Sequence, residues 1–137
     1  MSRGIRHTAA LGGILCWIGA ATAAGQEEAL AAVPSGLTLA LMDKRIEAQP
    51  DGSDWARFRF VAPALAEGVG YDVVEGDFAH LCHEVALPDL QDRGRAVAQV
   101  VISLSSKELG FGEIQPEIIQ FFEAFRIEND RCIWEAF

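Results

Sequence analysis

Several patterns are missing from this 137-residue chain, and each absence removes a class of function. There is no Cys-x-x-Cys, which argues against a thioredoxin-like redox centre. No Gly-x-Ser-x-Gly elbow surrounds Ser103, Ser105 or Ser106, and no pair of histidines brackets a glutamate in a zinc-protease pattern. No Gly-Lys-Ser/Thr follows a glycine cluster, and Gly110-Phe111-Gly112 lacks the following glycine and the strand-turn-helix setting of a dinucleotide loop. Internal repeats and low-complexity blocks are absent as well. Basic residues are scarce, with 11 Lys and Arg against 20 Asp and Glu, for a net charge of −9. Such a surface repels nucleic-acid backbone and anionic lipid. A chain this short also excludes the large cofactor folds, and no cofactor is expected.

A run of strongly apolar residues long enough to span a membrane is missing too. Spanning takes about 20 such residues, and the N-terminal run is shorter and diluted by Gly12, Gly13, Gly19 and alanines. Its order instead fits a cleavable signal peptide over residues 1–24. Arg3, Arg6 and His7 form a basic start. An uncharged stretch with Leu11, Ile14, Leu15, Trp17 and Ile18 follows, and Ala21-Thr22-Ala23 supplies the A-x-A cleavage pattern. Leu15 before Cys16 is wrong for lipid attachment, and Arg3 and Arg6 are not adjacent as a twin-arginine signal requires. The expected address is periplasmic or secreted, with no membrane span once the signal is gone. Cleavage removes two basic residues and no acidic one, so the remaining chain is still more acidic.

Cys16 leaves with the signal, so Cys82 and Cys132 remain as a pair in an oxidising compartment. Such a pair is more often a disulfide than a metal or redox site.

Residues 25–36, with Pro34 and Gly36, read as an extended leader, and residues 37–137 as one domain. Leu37, Leu39 and Leu41 alternate as in a strand, Pro50-Asp51-Gly52-Ser53 is turn chemistry, and Phe58 and Phe60 alternate with Arg57 and Arg59. These segments predict an N-terminal hairpin. Asp72-x-x-Glu75 resembles a capping box opening a helix. Val74, Phe78, Leu81, Cys82 and Val85 form its apolar stripe, with Asp77, His80, His83 and Glu84 opposite. Pro88 should end or kink that helix. Val97 to Leu104 predicts a buried strand.

Ile118 to Phe125 fits either a helix or a strand. If Asn129-Asp130 is a two-residue turn, Glu128 faces Arg131, Ile127 faces Cys132, Arg126 faces Ile133 and Phe125 faces Trp134. That register sorts apolar from charged residues, as a half-buried hairpin requires, and it is the favoured reading. It also aims Cys132 at the core that Cys82 faces, so a Cys82–Cys132 bond would staple helix to sheet. The expected fold is α+β: a small antiparallel sheet of two hairpins and a central strand, covered by one helix.

His80-Leu81-Cys82 with Ala86-Leu87-Pro88, then Gln120 through Arg126, and the ending Cys132-Ile133-Trp134-Glu135 resemble an uncharacterised family of short exported alphaproteobacterial proteins. Some relatives carry an acetolactate synthase label, a chemistry that belongs to large cytoplasmic thiamine-diphosphate enzymes. The resemblance supports the disulfide and the fold and transfers no catalytic residue.

Three charged residues stand out as candidate functional or buried charges. Glu123 falls on the hairpin face that carries Phe121, Phe125 and Trp134, where a bare carboxylate is costly. Arg57 and Arg59 are its expected partners if the hairpins lie side by side. His80-x-x-His83-Glu84 is the nearest approach to a metal motif, but two or three ligands on an exposed helix face are too few, so no metal site is assigned. The leading function is a non-catalytic binding or accessory protein of the cell envelope, with an unknown protein or a small cationic ligand as partner. The alternative is a small hydrolase or metal-dependent enzyme using His80, His83 and Glu84, or Glu123.

Overall fold

In a computed structural model of the protein, residues 12–14 and 30–136 are described. The basic start, Cys16 and the Ala21-Thr22-Ala23 cleavage pattern of the expected signal lie outside the described residues. So does the beginning of the leader.

Six strands form one sheet in sequence order among these residues. They are β1 (Leu30–Ala31), β2 (Leu39–Ala48), β3 (Asp54–Val61), β4 (Gln99–Ser105), β5 (Gln120–Glu128) and β6 (Arg131–Glu135). The expected N-terminal hairpin is β2–β3. Its turn is closed by Gly52 N–H donating to the Gln49 carbonyl at 2.9 Å, with Gly52 at a left-handed φ of 86° that glycine adopts without strain. Part of the presumed leader is structured, since Leu30 and Ala31 pair with Ala40 and Leu39.

The sheet is larger than the expected one, and it is mixed rather than antiparallel. β3 and β4 run parallel, with Phe58 opposite Ile102 and Phe60 opposite Leu104. Parallel neighbours need a long crossover, and the helical segment between them supplies it. A 3-10 turn (Pro63–Glu67) leads into α1 (Tyr71–Leu81), which passes through a π turn (Cys82–Ala86) into α2 (Leu87–Asp92). Pro88 therefore neither ends nor breaks the helix. It sits at the start of α2, and the wider turn before it has Leu87 N–H donating to the Cys82 carbonyl, five residues back. The helix also begins differently from the capping-box expectation. Gly70 is the N-cap, no side chain caps the helix, and Asp72 lies inside the first turn, where its charge favours the helix dipole.

The helix covers one face of the sheet, called here the inner face. Phe58, Phe60, Val100, Ile102, Leu104 and Phe125 from the strands pack there against Val74, Phe78 and Leu81. A bulge at Met42 explains why β2 does not alternate simply along its length. Leu41 pairs with Phe60, but Asp43, two residues on, pairs with Arg59, one residue on. The extra residue inverts the parity of the strand. Leu41 faces inward, and after the bulge Lys44 and Ile46 take the inner side while Asp43, Arg45 and Glu47 take the outer.

The C-terminal hairpin has the expected register throughout: Phe125 opposite Trp134, Arg126 opposite Ile133, Ile127 opposite Cys132 and Glu128 opposite Arg131. Asn129 and Asp130 both have positive φ, 50° and 57°, the turn that suits the strand twist. Ile118 to Phe125 is thus not a helix: Gln120 onward is strand. The Cys82–Cys132 disulfide is formed, with a Cα–Cα distance of 6.3 Å, and joins the π turn to β6. Beside it, the Cys132 backbone N–H donates to His83 Nε2 at 3.2 Å, and His83 Nδ1 meets the Ala79 carbonyl at 2.9 Å.

Asp77 departs from the expected polar helix face. It is fully buried, because the segment before β2 crosses the helix there. The carboxylate accepts hydrogen bonds from the Ser35 backbone N–H at 2.9 Å and the Ser35 hydroxyl at 2.5 Å. A buried carboxylate with two donors is satisfied, and here it ties the incoming chain to α1.

Candidate functional site

Arg57 and Arg59 flank Phe58 in β3. Phe58 faces the core, so both arginines point to the outer face, away from the helix. Glu123 lies in the same cross-strand row as Phe58 and Ile102, on the inner face. The expected pairing of Glu123 with these arginines therefore does not form, because a sheet lies between them.

Glu123 finds aromatic donors instead. The Tyr71 hydroxyl donates to Oε1, and the Trp134 indole N–H donates to Oε2 at 2.6 Å. The Tyr71 ring stacks on Phe78 at 6.0 Å and meets Phe121 edge-on at 5.7 Å. A carboxylate among rings is explained by this collar, which ties the first turn of α1 to the edge strand β6. The hydrogen bond to Glu123 pushes the Tyr71 hydroxyl up to about 12, with burial and the negative charge of Glu123 adding to the effect. His80, His83 and Glu84 stay on the helix, and among the described residues no group of three or more His, Cys, Asp or Glu could hold a metal ion.

The outer face carries the more unusual arrangement. Asp43 lies opposite Arg59, and Arg45 lies directly opposite Arg57. Like charges facing each other across a strand pair are destabilising unless something screens them. Two carboxylates do so in part. Asp43 meets Arg45 at 2.7 Å and Arg59 at 3.1 Å, and Glu47 takes the Arg57 Nε–H. Burial alone would raise the Asp43 carboxyl, but hydrogen bonds and charge from Arg45 and Arg59 outweigh it and hold Asp43 below the usual carboxylate range.

An aromatic ring completes the screen. Phe111 sits with the Arg45 guanidinium 4.0 Å from its centroid and those of Arg57 and Arg59 at 5.7 Å. Contacts of cations with a ring face are favourable by about 0.5–1 kcal/mol each at exposed sites. Phe111 belongs to the loop 106–119 between β4 and β5, a length at which loops without structure of their own are usually functional. The loop is held at its neck by Ser106 N–H to the Ile119 carbonyl at 2.9 Å and Ile119 N–H to Ser106 Oγ at 3.0 Å. Its tip is fixed by Arg59 Nη2 donating to the Leu109 carbonyl and by Leu109 N–H reaching the Met42 sulfur at 3.4 Å. The β2 bulge thus supplies both Asp43 for the arginines and Met42 for the loop.

Between this loop and the sheet lies a cleft of about 360 Å³. Its floor includes Val101 and Ser103 of β4, and its sides include Arg57, Arg59, Phe111 and Phe122. Arg59 and Ser103 are only 7% and 6% exposed, although both lie on the side away from the helix. The Ser103 hydroxyl is buried with no hydrogen-bond partner among the described residues. Arg57 gives its Nε–H to Glu47, and its guanidinium lies 5.7 Å from the Phe111 centroid and 5.9 Å from that of Trp55. An apolar concavity with a few convergent polar groups is the usual form of a small-molecule site.

The sequence pointed to Arg57 and Arg59 but to a different partner, and it left Phe111 and Ser103 without a role. The signal available was the outward alternation of Asp43, Arg45 and Glu47 with that of Arg57 and Arg59. A bulge hid the first half of it. Comparison with curated proteins and with solved structures finds no match. The chain belongs to DUF6497, a family of unknown function, whose sequence profile matches residues 15–137.

Proposed function

We propose that this is a non-catalytic binding protein of the cell envelope, exported by its N-terminal signal, and that the outer-face cleft receives a small ligand. The carrying observation is the Ser103 hydroxyl, buried and without a partner among the described residues, on the floor of a cleft edged by arginines and phenylalanines. Leaving a buried hydroxyl unpaired costs about 1–3 kcal/mol, which a bound ligand would recover. Arginines facing each other across a strand pair are unfavourable for stability by themselves, so their retention beside the cleft supports a role in binding. Export is supported by the signal pattern and by the Cys82–Cys132 bond, which persists in oxidising compartments.

Thermal-shift screening of the purified protein against small organic acids, amines and neutral fragments tests the cleft. Native-state ligands raise the unfolding midpoint. Hits should appear and should vanish in Ser103→Phe, whose ring fills the cleft. An absence of hits, or hits that persist in a folded Ser103→Phe variant, would overturn the reading. Export has its own measurement: intact mass of protein from the envelope fraction should place the first residue at Ala24 or Gly25. A chain still beginning at Met1 would contradict it.

A further inference from the structure

Resting on the cleft as a ligand site, we propose that its ligand is a small monocarboxylate with an apolar skeleton. The carboxylate is held between the Nη edge of Arg57 and the hydroxyl of Ser103, and the skeleton lies against Phe111 and Phe122. The argument begins with charge. The whole chain carries a net charge of −9, which taken globally favours a cationic ligand. The cleft does not share that balance. Arg45, Arg57 and Arg59 are gathered around one ring, against the carboxylates of Asp43, Glu47 and Glu113.

Those carboxylates are engaged. Asp43 is taken by Arg45 and Arg59, Glu47 by Arg57 Nε, and Glu113 accepts the Gly110 N–H at 3.2 Å across the loop tip. The donors are not all used. Arg59 spends Nη1 on Asp43 and Nη2 on the Leu109 carbonyl, whereas Arg57 meets Glu47 through Nε. The hydrogen-bonding groups on the cleft wall outside these pairs include the Arg57 guanidinium, the Ser103 hydroxyl and the Gln120 amide, all able to donate. Ser103 lies opposite Arg59 in the parallel ladder and diagonal to Arg57, and diagonal neighbours on one sheet face are within reach of a long side chain.

The three arginines and three carboxylates of this group balance, so the cleft is locally neutral in an acidic chain, and a ligand with a single negative charge disturbs that balance least among anions. A planar acceptor suits the arginine fork, so a carboxylate fits better than a multiply charged phosphate. Val101, Leu109, Phe111, Ile114 and Phe122 supply the apolar part of the wall. The volume of about 360 Å³ lies at the lower end for ligand pockets, which limits the skeleton to a short chain or a single ring. The protein's own contacts through Arg59 and Met42 hold the loop over the sheet, which keeps the ordering cost of binding small.

The test is a titration of the purified, isotopically labelled protein followed by amide chemical shifts. Phenylacetate and hexanoate supply a carboxylate on two skeletons, and phenylacetamide and phenethylamine are neutral and cationic controls of similar size. At millimolar concentration at least one carboxylate should shift the Ser103, Phe111 and Gly112 amides saturably and bind about tenfold or more tighter than either control. Arg57→Gln should weaken carboxylate binding about tenfold or more while leaving control binding and the amide spectrum of the core unchanged. Ser103→Ala should weaken it by a smaller factor. If a control binds the same amides as tightly as the carboxylates, or if Arg57→Gln leaves carboxylate binding intact, the ligand class is wrong and the cleft remains a site. If no probe shifts the cleft amides, the ligand class and the cleft reading fall together.

Discussion

Arg57 and Phe58 are adjacent in β3, yet they belong to parts of the molecule built on different principles. Phe58 is 1% exposed and lies under the helix in one apolar cluster with Ile102, Leu104 and Phe78, where the packing is its own explanation. Arg57 lies on the other side of the same sheet, facing another arginine, beside a buried hydroxyl with no partner among the described residues. The inner face follows the rules that make a fold stable. The outer face breaks two of them, and the breaches converge on one cleft. Sites of function are where such local conflicts are expected.

The division can be broken by changing one residue at a time. The largest effect is expected on the inner face, where Phe58→Ala should cost about 3–5 kcal/mol in denaturant unfolding, since a ring lost from a filled core leaves a cavity. Replacing Cys82 and Cys132 together with alanine should cost about 2–5 kcal/mol. The residues between them number about fifty, as the sequence separation of 50 shows, and closing so long a loop restricts the unfolded chain strongly.

On the outer face Arg59 is the structural exception, because it is buried and holds the loop. Arg59→Met should cost about 1–3 kcal/mol by leaving the Leu109 carbonyl without its donor. A change within about 0.5 kcal/mol, as at an ordinary surface position, would show that the loop is not fixed from the sheet.

Much of the inner face was legible in the sequence. Alternation and residue pairing across Asn129-Asp130 favoured the C-terminal hairpin over a helix and gave the observed register, because that pairing sorted apolar from charged residues. The same argument aimed Cys82 and Cys132 at each other. What pairing could not supply was strand direction. Phe58 and Ile102 are apolar whichever way their strands run, and the long helical crossover was the only sign that β3 and β4 are parallel. The buried state of Asp77 was hidden because its partner, Ser35, comes from a segment without periodicity. The cleft was hidden for a similar reason. It needs a bulge at Met42 and a loop held by main-chain carbonyls, neither of which leaves a hydrophobic pattern.

A subtler expectation concerns the Glu123 collar. Tyr71 is the only tyrosine in the chain, so its ionisation can be followed by ultraviolet absorbance without overlap. In the folded protein the midpoint should lie near 12, above the ordinary value of 10.0. The folded-state value is raised, so this hydrogen bond stabilises the protein fully below about pH 10 and is lost as pH rises through the folded value. Glu123→Gln should bring the midpoint back toward 10.0 with a small change in stability. A midpoint unmoved by that change would mean that Glu123 does not hold the tyrosine. On the acid side the sign reverses for Asp43. Its value is lowered below 3.8, so its contribution is present above that pH and fades as pH falls through the lowered value. Asp43→Asn should flatten the acid limb of the stability curve.

The contrast between the two faces is tested most directly by the rise in thermal midpoint that saturating phenylacetate produces in the unaltered protein, in Arg57→Gln and in Phe58→Leu. The account predicts that Phe58→Leu unfolds at a lower temperature than the unaltered protein but gains the same increment from the ligand. Arg57→Gln should unfold at nearly the unaltered temperature and gain little or nothing. Equal increments in all three proteins, or an increment lost only in Phe58→Leu, would contradict the assignment of stability to one face and binding to the other.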